Sequence, residues 1–165
     1  MFFGLFGYFA GLGKSLNISQ KIIKKMKIRQ VMEKPVFIPQ NAAKKEILRI
    51  AKNNKKTEIF IVADKNKRFL GDIHEDDLFY MMVPNKYYEA IGAELGFDLE
   101  KKFFAKNAKE IMRKHDVSCN ENDSIIDAAL KLAGAEVNEI PVLNKNGQVI
   151  GVVTQGILLR NLDVK

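Results

Sequence analysis

The chain is poor in the residues that catalysis and cross-linking need. It has one cysteine, Cys119, two histidines, and no run of eighteen apolar residues. A single cysteine cannot close an internal disulfide, which fits a reducing compartment and points to a cytoplasmic protein. Without an eighteen-residue apolar window, no helix is long enough to span a bilayer. His74, His115 and Cys119 fall into no Ser/His/Asp, Cys/His or paired-carboxylate pattern, so the chain reads as a non-enzyme. Cys119 sits in a predicted buried strand, where a thiol is a small apolar filler.

Net positive charge is scarce over most of the sequence. The formal net charge is +7, but residues 1–34 hold seven basic residues against Glu33 alone, a balance of +6. The remainder has twenty basic and nineteen acidic groups, a balance of +1. A nucleic-acid binder normally spreads positive charge over its folded unit, so nucleic acid is disfavoured as a partner.

What the chain does have is a repeat. Two copies start about eighty residues apart, the first over Ile28–Tyr80 and the second over Ala108–Leu162. Val31-Met32 answers Ile111-Met112, and Val36-Phe37-Ile38 answers Val117-Ser118-Cys119. Ile59-Phe60-Ile61-Val62 answers Ile140-Pro141-Val142-Leu143, and Phe69 to His74 answers Val149 to Thr154. Each copy reads strand, helix, strand, turn, strand, helix. Copies of this size are too small to bury much core alone, so two pack together. The fold class is α/β: two pseudo-symmetric β-α-β-β-α repeats forming one unit. Residues 1–27 form a leader and basic helix, 28–80 the first copy, 81–107 a helical connection and 108–165 the second copy.

Periodicity assigns the elements. Ala43, Ile47, Ile50 and Ala51 form a core-facing stripe between charged residues, and Thr57 to Val62 reads as a buried strand. Asp64-Lys65-Asn66-Lys67 and Asn144-Lys145-Asn146-Gly147 are turns. In the second copy Asp123 or Ser124 caps a helix whose stripe is Ile126, Ala129, Leu130 and Ala133. The connection carries apolar spacing at Tyr87, Ile91 and Leu95, then Phe97, Leu99, Phe103 and Phe104, predicting one or two short helices with Asp98 as a cap. Ahead of the first copy, Ile18 to Ile28 has an apolar and a lysine-rich face, an amphipathic helix capped by Asn17.

Residues 2–13 are apolar and rich in glycine. They suit packing against the protein or a second protomer, or, through residues 1–28, a peripheral membrane contact, or else they form a disordered tail. Gly11-Leu12-Gly13-Lys14-Ser15 imitates the end of a phosphate-binding loop, but Tyr8 stands where its first glycine belongs.

The pattern of apolar strand, turn, apolar strand, Gly-h-h-[Thr/Ser/His]-x-x-Asp and helix, twice in register, resembles the CBS (cystathionine-β-synthase) domain. The two copies together resemble a CBS pair, or Bateman module. The resemblance implies an adenosine-containing ligand (AMP, ADP, ATP or S-adenosylmethionine) in the inter-repeat cleft, with no firm cofactor and no metal. It implies adenine between the apolar strand residues Val36, Phe37, Ile59, Phe60, Val117, Ile140 and Pro141. It further implies ribose on an aspartate, and phosphate on a hydroxyl residue and helix amides. Here the motif is split. Gly71-Asp72-Ile73-His74-Glu75-Asp76-Asp77 keeps the carboxylate, Asp77, but has His74 where Thr or Ser is usual. Gly151-Val152-Val153-Thr154-Gln155-Gly156-Ile157 keeps Thr154 but has Ile157 where the aspartate belongs, so the working site is the one around His74 and Asp77. A charged imidazole there would strengthen a phosphate contact.

Other readings stand beside this one. Glu75, Asp76 and Asp77 open a helix, where the dipole alone favours acids, and on this reading His74 is only its cap. These neighbours point in different directions, which argues against a metal; His115 reads as surface decoration. The function implied is a stand-alone regulatory CBS-pair protein, homodimeric, sensing an adenine nucleotide and signalling to an unidentified protein partner. The alternative is a dimeric structural adaptor without ligand, peripheral to a membrane through its N-terminus.

Overall fold

The computed structural model describes residues 26–92 and 97–161. The leader, most of the predicted basic helix and Leu95 lie outside them. The repeat is present as two three-stranded sheets, β1-β2-β3 and β4-β5-β6. In the first copy β1 (Val36–Pro39) runs parallel to β2 (Ile59–Ala63), which is antiparallel to β3 (Phe69–His74). α1 (Lys44–Asn53) crosses between β1 and β2, and α2 (Glu75–Met82) follows β3 without a loop. In the second copy α6 (Ile125–Ala135) lies between β4 (Cys119–Asn120) and β5 (Glu139–Leu143). There β6 (Val149–Thr154) passes directly into α7 (Gln155–Arg160). The connection holds a short 3-10 turn (Asn85–Tyr87), α3 (Tyr88–Gly92), α4 (Phe97–Phe104) and α5 (Ala108–Ile111).

The chain forms two compact bodies, and neither is a copy read straight off the sequence. One consists of residues 34–116 with 144–150; the other takes residues 26–33, 117–143 and 151 onward. The reason is a set of backbone hydrogen bonds. In the first body Asp72 and Arg113 exchange N–H···O bonds of 3.1 and 2.8 Å. In the second Glu33 and Val152 do the same, both at 3.0 Å. Each leading segment therefore adds to the last strand of the other copy's sheet.

The first body's core gathers Ile38, Ile47, Phe60, Val62 and Ile73 from the first copy and Met81 from the end of α2, with Ala108, Ile111 and Met112 from the leading segment of the second. The second body buries Ile28, Cys119, Ile125, Leu132, Ile140 and Val153. Burial and the nearby Asp123 push the Cys119 thiol up to about 12, with Lys131 opposing, which fits an inert filler.

Local chemistry sets the element ends. Ser124 is the cap of α6: its Oγ accepts from Asp127 N at 3.1 Å, and Asp127 Oδ2 accepts from Ser124 N at 3.1 Å. Asp64 and Asn144 act alike in the two turns, Asp64 Oδ1 accepting from Asn66 N and Arg68 N, Asn144 Oδ1 from Asn146 N and Gln148 N.

Several expectations need correction. The α6 stripe is Ile125, Ala128 and Leu132, one residue away from the predicted one, and Leu130 is 67% exposed. With apolar residues nearly all round that helix, periodicity could not choose the face; the cap at Ser124 did. On α1, Ala43 is exposed and precedes the helix, while Ala42 is buried. Asp98 lies within α4 rather than before it. Lys27 is extended and Ile28–Gln30 is a 3-10 turn, so the basic helix does not reach Ile28. That stretch is held instead by Ile28 N to Asp123 O and by Ile125 N to Met26 O, at 3.0 and 3.2 Å.

The glycine that opens each Gly-h-h motif is required by the added segment. A Cβ on Gly71 would strike the Arg113 carbonyl oxygen, and one on Gly151 would lie 2.6 Å from Met32 Sδ. The Arg113 backbone cannot yield, whereas Met32 Sδ can swing aside, leaving the milder crowding of its Cγ and Cβ at 3.0 and 3.1 Å. Gly71→Ala should therefore lower stability by about 2–3 kcal/mol and Gly151→Ala by about 1 kcal/mol, a ranking that urea denaturation of the two variants would check.

Candidate functional site

In the first body, β3 carries an aspartate into an apolar interior. Asp72 is fully buried beside buried Ile73, so it needs partners. His115 Nε2 lies 2.8 Å from its Oδ2 and His74 Nε2 3.6 Å from its Oδ1. Both imidazoles are mostly buried, and His115 also packs on Phe69 with ring centroids 5.1 Å apart. His115 is thus part of a buried carboxylate–imidazole group and not surface decoration.

Three residues past His74, Asp77 is also fully buried, while Glu75 and Asp76 are exposed. Its Oδ1 accepts from Arg113 Nη2 at 3.0 Å and Lys102 Nζ at 2.7 Å. Its Oδ2 accepts from Arg113 Nε at 3.0 Å and the His74 backbone N–H at 3.3 Å. Burial pushes the Asp77 carboxyl up, but hydrogen bonds from Arg113 and Lys102 outweigh it and hold the group below its usual 3.8. Lys102 belongs to α4, where Phe103 is fully buried and its ring meets those of Tyr80 and Tyr88 at 5.9 and 5.3 Å. The connection between the copies is therefore a structural part of this region.

The remaining predicted site residues divide between the bodies. In the first, Val36 pairs with Phe60 and Ile59 with His74 in the sheet register. Phe60 lies in the core, whereas Phe37 is half-buried, faces a cavity of about 460 Å³ and has Lys67 Nζ 5.9 Å from its ring centroid. In the second, Ile140 and Pro141 are buried and Val117 half-buried. Thr154 caps α7, its Oγ1 accepting from Ile157 N at 3.1 Å. Sequence reasoning missed Asp72, Lys102, Arg113 and His115 as members of the site. One signal was available: a charged residue at 72 in an apolar strand whose counterpart is Val152 must find partners.

A doubled unit of two parallel strands, one antiparallel strand and a helix springing from its last strand defines the class. The chain belongs to the CBS domain family, which matches residues 28–83 and 108–164. It is similar to the CBS domain of a CBS domain-containing membrane protein from Sphaerobacter thermophilus: TM-score 0.71, 21% identity, 94% of this chain and 99% of that one. It is also similar to CBSX2 of Arabidopsis thaliana, solved in complex with AMP, at TM-score 0.63 and 19% identity, covering 82% and 94% of the two chains. A third likeness is to the CBS pair of protein MJ0100 in complex with 5′-methylthioadenosine and S-adenosyl-L-methionine, at TM-score 0.61, 18% identity and the same coverages. These likenesses establish the fold. Among the described residues, no helix is long and apolar enough to cross a membrane.

Because the Asp77 carboxyl lies below its ordinary value in the folded state, its stabilisation is complete above about pH 4 and is lost as pH falls further. Asp77→Asn should cost about 2–4 kcal/mol at pH 7, and the gap from the parent protein should narrow toward pH 2. Urea denaturation of both proteins across that range checks the sign and the window.

Proposed function

We propose that this chain is a regulatory CBS pair, not an enzyme, that senses an adenine nucleotide at the β3–α2 junction of its first copy. The observation that carries the reading is the asymmetry of the two junctions. The first presents Asp72, His74 and Asp77; the equivalent positions of the second are Val152, Thr154 and Ile157, with Val152 and Ile157 buried. Only the first copy has the carboxylate and imidazole to meet ribose and phosphate. AMP and S-adenosylmethionine in similar CBS pairs support the ligand class. The module would act as a cytoplasmic homodimer that passes ligand occupancy to a protein partner, with copies at 28–80 and 108–165. Phe79, Met82 and Leu159, all more than half exposed, are the apolar residues of α2 and α7 available to a second copy, whereas Leu78 and Leu158 belong to the cores.

A second reading, a dimeric adaptor without ligand, is favoured by one fact: both Asp77 oxygens are taken by Arg113, Lys102 and the His74 amide. A nucleotide's ribose would have to displace one of these. Thermal-shift measurement with AMP, ADP, ATP and S-adenosylmethionine separates the readings. A sensor gains about 2.7 kcal/mol at a hundredfold excess over Kd, and His74→Gln should weaken the response to the phosphorylated ligands more than to S-adenosylmethionine. No shift with any of the four would leave the adaptor.

A further inference from the structure

The first body also has a strongly cationic cavity, built by the end of the connection and the leading segment of the second copy. Lys101 and Lys102 on α4, Lys109 on α5, and Arg113 and Lys114 beyond it line one space of about 550 Å³. Buried Ile111 and Met112 supply its apolar lining, and among the described residues no acidic side chain lines it. Glu110, next to Lys109, is turned aside: its carboxylate accepts from the Lys106 N–H at 2.8 Å and the Asn107 amide at 2.6 Å. Among the residues whose side chains are described, none pairs a carboxylate with Lys101, Lys109 or Lys114, and all three are exposed.

Five like charges around one cavity repel one another, and the repulsion grows as the space is desolvated. Asp77, bonded to Lys102 and Arg113, cancels one of them. Lys101, Lys109 and Lys114 are left without a carboxylate partner among the described side chains. A single phosphate brings about two negative charges at neutral pH, which leaves a surplus, whereas a chain of two or three phosphates roughly balances the set. The carboxylate also holds Arg113 and Lys102 in place before any ligand arrives, which lowers the ordering cost of binding. The flexible lysines can then close as point charges on the remaining oxygens.

We propose that this cavity binds a polyphosphate chain. The inference does not rest on the adenine reading, because the lining recognises phosphate and asks for no base. Inorganic polyphosphate, a nucleotide tail and a phosphoinositide headgroup share this chemistry; a cavity rather than a flat surface favours a soluble ligand.

The test is calorimetric titration of the full chain with sodium tripolyphosphate. It is compared with sulfate at matched ionic strength and with vesicles containing phosphatidylinositol bisphosphate. Two variants accompany it, a triple Lys101→Gln, Lys109→Gln, Lys114→Gln and the triple lysine-to-arginine change at the same positions. The parent should bind tripolyphosphate in a salt-sensitive way, and far better than sulfate. The glutamine variant, with its circular dichroism and melting temperature unchanged, should bind at least about tenfold more weakly, and the arginine variant should retain binding. ATP is titrated alongside; if it binds no tighter than tripolyphosphate, the cavity stands and the result counts against the nucleotide reading. Equal affinity in parent and glutamine variant, or equal binding of sulfate and tripolyphosphate, would overturn the proposal. So would vesicle binding without tripolyphosphate binding, which would reassign the site to a lipid headgroup.

Discussion

Two reciprocal pairs of backbone hydrogen bonds, Asp72 with Arg113 and Glu33 with Val152, hold the rest of the structure in place. Each sheet takes its last partner from the leading segment of the other copy, so neither copy completes a body alone. The arrangement answers a size problem. A unit of about fifty residues buries too little apolar surface to offset its conformational entropy. Adding Ala108, Ile111 and Met112 to the core over β1–β3 raises the buried share, and Ile28 does the same for the other body. Glycine at 71 and 151 follows from the same contact, since the entering segment passes where a Cβ would stand.

On this shared frame the copies have diverged in chemistry at matching points. Val152 and Ile157 fill two buried positions with apolar side chains, where the first copy has Asp72 and Asp77. Well-packed apolar residues and a satisfied ion pair can be nearly equal in stability, while a half-satisfied pair is costly. A buried aspartate therefore persists only with its partners, and besides His74 those partners come from outside the first copy: His115 and Arg113 from the entering segment and Lys102 from α4. The entering segment that completes the sheet also delivers one of the cations, Arg113, and an imidazole, His115. Structure and candidate chemistry thus rest on the same few residues, and the connection between the copies works as part of the site.

Much of this was legible in the sequence. Paired apolar strands, matching turns at Asp64 and Asn144, and the doubled Gly-h-h motif were enough for fold class and repeat order, because periodicity and turn chemistry are local. The split between His74/Asp77 and Thr154/Ile157 was equally plain. What stayed hidden depends on contacts distant in sequence. Arg113 lies thirty-six positions from Asp77, and no spacing rule links them. The exchange of leading segments was invisible because Val31-Met32 and Ile111-Met112 suit their own copy and the other equally well. The face of α6 was misread because Ile125 to Ala135 is apolar on nearly every side, leaving the decision to the Ser124 cap.

The central claim is that the leading segments are integral parts of the opposite sheets. Amide hydrogen exchange on the intact chain tests it most directly. The claim predicts that the amides of Glu33 and Arg113 exchange in the same slow, cooperative opening as the strand amides of Val152 and Asp72, since each bond joins one member of each pair. Exchange of Glu33 and Arg113 at the rate of the exposed turn residues, with Val152 and Asp72 still protected, would show that the segments only rest on the sheets and would contradict the account.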